Sequence, residues 1–422
     1  MIQRVSVGQI VDAAPARVVV TRDAQGAVTE AAFDLTGLPR VDAALTGRPV
    51  AEVPNLVERL CSICPAAHHL AGTRALESLA GLEDLPPTAQ AVRRLLHFGA
   101  VIAIDAVSFL SVDQAGALAL KRFAKTAMAA AGSPGHFPAT AIPGGVTAPA
   151  DPDLVDQVAG LVDQTLRAAT RLAETALAVA ATPDPFTGAD LALVDPLGQL
   201  DLFGQRLRAV AADGAVVLAT ARPGDWDDLV AEAAPGSSAP RPYLVSLGPG
   251  TGAYRVGPVA QLRVAALPTP RAASLQQAWR HHGGAAAARA IVAVHAVETI
   301  ADLVGHPELV AGPTAQPWSG QWPAGIGVGW VDGARGLLVH RYAVGADGQV
   351  RRATILTPTA QNELWLGELL RTAVSDAPAG AARAGVEQAI HEADPCLPCS
   401  AAPAGTMDLV VETTTLSGTI GG

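Results

Sequence analysis

Cysteine is nearly missing from this chain: four residues in 422, all in two C-x-x-C pairs, Cys61/Cys64 and Cys396/Cys399. Without a secretion signal, so few cysteines read as reduced thiols, and the pairing points to metal or redox chemistry. Aromatic residues are scarce too, at 4%, so a large buried core must be built from Ala, Val and Leu. Basic residues are outnumbered, with 29 Lys plus Arg against 39 Asp plus Glu and a formal net charge of −10. That balance excludes broad attraction to nucleic-acid phosphates, which requires clustered cations. The start, Met1 to Val20, lacks the basic head and continuous apolar core of a cleavable signal. The apolar run from Gly99 to Val112 is interrupted by Asp105 and ended by Asp113, too short for a clean membrane span. No charged, Ser-rich or low-complexity linker divides the chain, and no repeat recurs at a fixed period.

What is present predicts one interwoven α+β domain over 1–422, mainly α, with long buried helices in a central bundle and small peripheral β-sheets. A small β region occupies about 1–50: residues 3 to 35 read as a strand pair, Ala16 to Thr21 turning at Asp23 to Gly26 into a strand ending near Leu35. Apolar residues at three- and four-residue spacing predict helices over Leu56 to Ala80, Ala89 to about Ala130 and Asp151 to about Ala181. Pro183 to Pro270 is rich in Gly and Pro and reads as loops and small sheets. A helix from Ala272 to about Val304 follows, then a hairpin pairing Gly336 to Tyr342 with Val350 to Leu356, and a helix from about Glu363 to Thr372.

In the first pair, Pro65 suits the first turn of a helix, which places both thiols at a helix start beside Arg59, a setting that favours thiolate. Two C-x-x-C clips brought together present four thiolates to a soft or borderline metal. A four-cysteine structural zinc site competes with this reading, although zinc ribbons close short loops and these pairs lie near opposite ends of the chain. A redox disulfide is the weaker competitor, because no compact βαβ context surrounds either pair.

Arg59-x-Cys61-x-x-Cys64-x-x-x-His68 and Asp394-Pro395-Cys396-x-x-Cys399 together resemble the paired signatures of nickel-iron hydrogenase large subunits. Pro143 to Val146, Tyr254 to Pro258, Thr269-Pro270, Gly333 to Gly336 and Pro358-Thr359-x-x-Asn362 extend the resemblance along nearly the whole chain. It implies that Cys61 and Cys396 are terminal nickel ligands, and that Cys64 and Cys399 bridge nickel to an iron carrying cyanide and carbon monoxide. By the same resemblance Cys396 takes the proton when dihydrogen splits and Arg335 polarises the bond above the open metal position. Pro358 and Thr359 would line the iron, His68 would stand behind the first pair, and Asp113 is offered as the aspartate beside Arg335. Each residue also has a plainer use: Arg335 in a surface turn, Thr359 closing a loop or capping a helix, His68 as a satisfied core histidine.

Four departures from the family pattern are legible, the first being the missing His-rich run ahead of the aspartate for which Asp113 is offered. Arg4 to Gln9 has no carboxylate where the family carries a proton-relaying glutamate. Ser62 replaces a common glycine. After Cys399 comes Ser400-Ala401-Ala402-Pro403 rather than the residue at which a protease trims the tail, so either residues 403–422 are retained or their processing differs. The magnesium ion that a trimmed end helps bind would involve Asp42, for which a solvated surface aspartate is the competing reading. With no cysteine left for an iron-sulfur cluster, the resemblance implies a partner in the form of an iron-sulfur small subunit, with further flavin or nicotinamide subunits and maturation proteins. It implies a cytoplasmic setting, with export as a partner's passenger as the other route. A dihydrogen sensor of low turnover and a non-catalytic scaffold are the alternatives to a turning-over hydrogenase.

Overall fold

The computed structural model describes residues 16–35, 42–181, 184–375, 382–402 and 405–415. The expectations for Arg4 to Gln9 and for the last residues of the tail lie outside that set. The fold is mainly α with small separate sheets, as the periodicity requires.

Four helices, Pro87–Ser108, Gln114–Ala130, Pro152–Leu177 and Ala285–Leu303, pack in cyclic order, each against the next and the last against the first. Their facing positions are largely Ala, Val and Leu, so the backbones sit close and the core needs few aromatics. The single long helix expected from Ala89 to Ala130 is two helices. Asp113 separates them, its carboxylate accepting from Gly116 N at 2.9 Å as the N-cap of the second. The helix expected from Ala272 to Val304 is likewise two, Pro270–His282 and Ala285–Leu303, broken at Gly283-Gly284, both of which have positive φ. Periodicity alone does not register such a break, because the apolar stripe resumes in nearly the same phase.

A three-stranded antiparallel sheet, Gly325–Gly333, Gly336–Val344 and Val350–Leu356, contains the expected hairpin plus a first strand that the sequence pattern does not announce. Its glycines hide it: Gly327 and Gly329 deplete the strand signal because the helix Pro65–Ala80 lies directly on them. A Cβ on Gly327 would stand 2.0 Å from Ala75 O, and one on Gly329 2.2 Å from Ala75 N. Gly329→Ala is therefore expected to destabilise the chain by about 3 kcal/mol or more, the upper range for overpacking. A lowered denaturation midpoint with unchanged m value would register it.

Ala16–Arg22 and Val28–Phe33 pair antiparallel as expected. The segment 405–415 is no loose appendage: Leu409–Thr415 runs parallel to Ala16–Arg22 along seven registered pairs. Arg383 donates to Met407 O and Leu409 O, and Met407 is buried. A helix at Ala382–Ala393, also absent from the expectations, leads into the second cysteine pair. Among the described residues no helix is long and apolar enough to cross a membrane.

Candidate metal centre

Cys61 and Cys64 leave a turn ahead of the helix Pro65–Ala80, with Cys64 as its N-cap and Pro65 at its first position. Cys396 follows the helix Ala382–Ala393 through Asp394, held at a positive φ of 46°, and Pro395. Residues more than 330 apart in sequence thereby meet. The sulfurs stand 3.2 Å apart for Cys61–Cys64, 3.7 Å for Cys61–Cys396 and 3.8 Å for Cys64–Cys396. These are contacts between free thiols, well beyond a disulfide bond. Cys399, on the short turn Pro398–Ala401, is partly buried against the main core and makes no hydrogen-bond contact with the other three sulfurs.

The trio cannot carry three negative charges unaided. Sulfur donors Cys396 and Cys64 hold the Cys61 thiol well below the usual range. Cys396 is itself pushed up to about 12, chiefly by Cys61, and Cys396 and Cys61 together hold Cys64 well above the usual thiol range. Burial lifts Cys399 to about 11. One thiolate stabilised by two neighbouring S–H groups is the proton-loaded form of a soft-cation site, in which a bound cation displaces the protons. The donor set thus fits a thiophilic metal, and His68 brings a ring nitrogen within 4.8 Å of the first two sulfurs.

Arg59, expected to favour the thiolates, does not face them: its guanidinium lies 5.0 Å from the Phe137 ring on the surface. The cation over the sulfurs is Arg335. It occupies the two-residue turn between Gly333 and Gly336, and Gly257 backs that turn so closely that a Cβ there would meet Arg335 O at 2.8 Å. Asn362 clamps the same segment, accepting from Val256 N and donating to Val256 O. Buried Arg335 donates from Nη2 to Asp394 Oδ1 at 3.2 Å, while its Nε and Nη1 have no partner. Burial works against its charge, but Asp394, Cys396, Asp105 and Cys64 together hold its pKa above the ordinary value. Arg335 lines the same cavity as the sulfurs, and two of its buried N–H groups are unpartnered and available to charge that arrives there.

Asp113 is not the aspartate of this site, since it caps a helix. That place belongs to Asp394 and Asp105. Asp394 bridges Arg335 and Arg289, the latter at 3.2 Å. Asp105 sits in the helix Pro87–Ser108, and burial pushes its carboxyl well above the usual range against the pull of Arg289 and Arg335. The sequence carried both signals, one acid interrupting an apolar helix and one opening the second cysteine motif.

Pro358 starts a short helix capped by the Thr357 hydroxyl. Thr359 Oγ1 accepts from Cys396 N at 2.8 Å, tying that helix to the second clip while its own hydroxyl proton stays available. Asp42 is only 8% exposed, so the solvated reading is wrong for it; it lines the same cavity, of about 290 Å³, as Cys61, Cys64, Cys396, Arg335 and Thr359.

The family described as nickel-dependent hydrogenase matches residues 40–115, which include the first cysteine pair. The NAD-reducing hydrogenase HoxS subunit beta of Cupriavidus necator is 26% identical, over 94% of this chain and 93% of that one. One polypeptide of the vhu F420-non-reducing hydrogenase of Methanococcus voltae is 27% identical, over 82% of this chain and 92% of its own. A solved NAD+-reducing [NiFe]-hydrogenase in the H2-reduced state superposes with a TM-score of 0.78 at 28% identity, over 90% of this chain and 95% of that one. A [NiFeSe] hydrogenase variant from Desulfovibrio vulgaris Hildenborough has the same fold, with a TM-score of 0.65 at 17% identity.

Proposed function

We propose that this chain, a member of the nickel-dependent hydrogenase family corresponding to its large subunit, splits and forms dihydrogen at a nickel-iron pair held by Cys61, Cys64, Cys396 and Cys399. The observation that carries the reading is the meeting of Cys61, Cys64 and Cys396 within 3.8 Å beneath an arginine with two free N–H donors. Cys399, on the turn that follows Cys396, would supply the fourth thiolate. A nickel-iron pair carrying cyanide and carbon monoxide supplies, when bound, the electrophilic position at which dihydrogen is polarised.

The chain's own part is to hold charge and move one proton. Cys396 Sγ would take the proton of heterolytic cleavage. Arg335 Nε and Nη1 stabilise the charge separation in a site where burial keeps water from screening it. Asp394 holds Arg335 in that orientation, and Arg289 shares the carboxylate so that the local charge remains balanced. Thr359 fixes the backbone of Cys396, and its hydroxyl proton would be available to a cyanide on the iron.

All four cysteines are engaged in this arrangement, so electrons leave through a separate iron-sulfur subunit, with flavin or nicotinamide subunits beyond it, in the cytoplasm. The purified complex is expected to reduce an artificial viologen acceptor under dihydrogen at about 1–10³ turnovers per second, the ordinary enzyme range. A complex replete in metal that reduces no acceptor would exclude turnover and leave the sensor reading in its place.

A further inference from the structure

Behind the first cysteine pair, three buried polar side chains form a line that the catalytic reading leaves unused. His68 Nδ1 is 3.0 Å from His340 Nε2, and His340 Nδ1 is hydrogen-bonded to Tyr342 Oη. His340 and Tyr342 sit two apart on the strand Gly336–Val344, facing the helix that carries His68, and neither is exposed. Space for them is cut into that helix. Gly72, one turn after His68, is where a Cβ would meet Tyr342 Oη at 3.3 Å and His340 Nδ1 at 3.5 Å.

The direction of the line follows from its far end. Burial keeps Tyr342 a phenol and His340 a neutral imidazole. Among the described residues the phenol has no hydrogen-bond partner besides His340 Nδ1, and a buried O–H left without an acceptor is destabilising. The phenol proton therefore goes to His340 Nδ1, leaving His340 protonated on Nε2. That N–H donates to His68 Nδ1, which in turn fixes the proton of His68 on its remaining nitrogen, Nε2. His68 brings a ring nitrogen within 4.8 Å of the Cys61 and Cys64 sulfurs, so the fixed proton is directed at sulfur.

We infer that His340 and Tyr342 are positioning residues that lock His68 in the tautomer donating an N–H to the Cys61 thiolate. This rests on the nickel-iron reading above. The line orients and does not conduct, because Tyr342 offers no onward acceptor. An N–H directed at a ligand sulfur withdraws electron density from the metals it holds, so the stretching frequencies of iron-bound cyanide and carbon monoxide register its presence.

The test uses the assembled complex with its partner subunits, comparing wild type with Tyr342→Phe, His340→Leu and His340→Gln by infrared spectroscopy, metal analysis and dihydrogen-dependent viologen reduction. Tyr342→Phe and His340→Leu are expected to shift the diatomic bands and lower turnover by about 10–100-fold, the usual range for residues supporting metal ligands. Glutamine accepts from the phenol and donates to His68 but cannot relay a proton, so His340→Gln is expected to return the bands towards wild type. Loss of nickel in His340→Leu with retention in His340→Gln supports the assignment equally. Bands identical to wild type in metal-replete Tyr342→Phe and His340→Leu overturn it, as do equal defects in His340→Leu and His340→Gln. A wild-type complex without nickel and iron refutes the underlying function instead, so the two failures are distinguishable.

Discussion

Cys396→Ser is expected to yield a folded chain that has lost nickel and nearly all dihydrogen-dependent activity, a fall of about 10³-fold or more. Changing residues that merely support metal ligands costs 10–100-fold, and losing a ligand must exceed that. Serine preserves the shape but exchanges a soft, polarisable donor for a hard hydroxyl that does not ionise near neutral pH. Fold and assembly should survive, because the tie at this position is made by the backbone: Cys396 N donates to Thr359 Oγ1 whatever the side chain. Nickel content and turnover per chain, measured on the same complex, check the outcome. Retained nickel with retained activity would remove Cys396 from the metal set.

Arg335→Lys is expected to lower turnover by about 10²–10³-fold, the effect of removing one preorganised electrostatic donor, while nickel and iron stay bound. Lysine keeps a positive charge, yet it loses the planar fork that lets Nη2 pair with Asp394 while Nε and Nη1 stay unpartnered. The fold tolerates the exchange because Asp394 retains Arg289 at 3.2 Å, so no buried carboxylate is left uncompensated. A fall in kcat at unchanged metal content is the expected signature, since the interaction belongs to the moment of charge separation. An unchanged kcat would reduce Arg335 to a partner of Asp394.

Much of this arrangement is legible in the residues. Cys61, Cys64 and Cys396 meet although they belong to two distant clips, and the strand pair that follows Arg335, Gly336–Val344 with Val350–Leu356, is legible in its residues. Sequence is weaker wherever a signal depends on what packs against it. Gly327 and Gly329 look like strand breakers until the helix Pro65–Ala80 is laid across them. Asp113 and Asp105 both interrupt an apolar stretch, and sequence cannot say that one caps a helix while the other faces two arginines. His340 and Tyr342 pass for polar residues of a strand because their partner, His68, lies 272 residues away from His340. Pairing of Leu409–Thr415 with Ala16–Arg22 is equally hidden, since register between the two ends of a chain leaves no local trace.

The central claim is that two dithiolate clips close on one nickel-iron pair, and nickel K-edge X-ray absorption on the anaerobically purified complex tests it most directly. A first shell dominated by sulfur with an iron scatterer close behind is the predicted result. Nickel surrounded only by nitrogen and oxygen, or zinc filling the site in its place, would contradict the account.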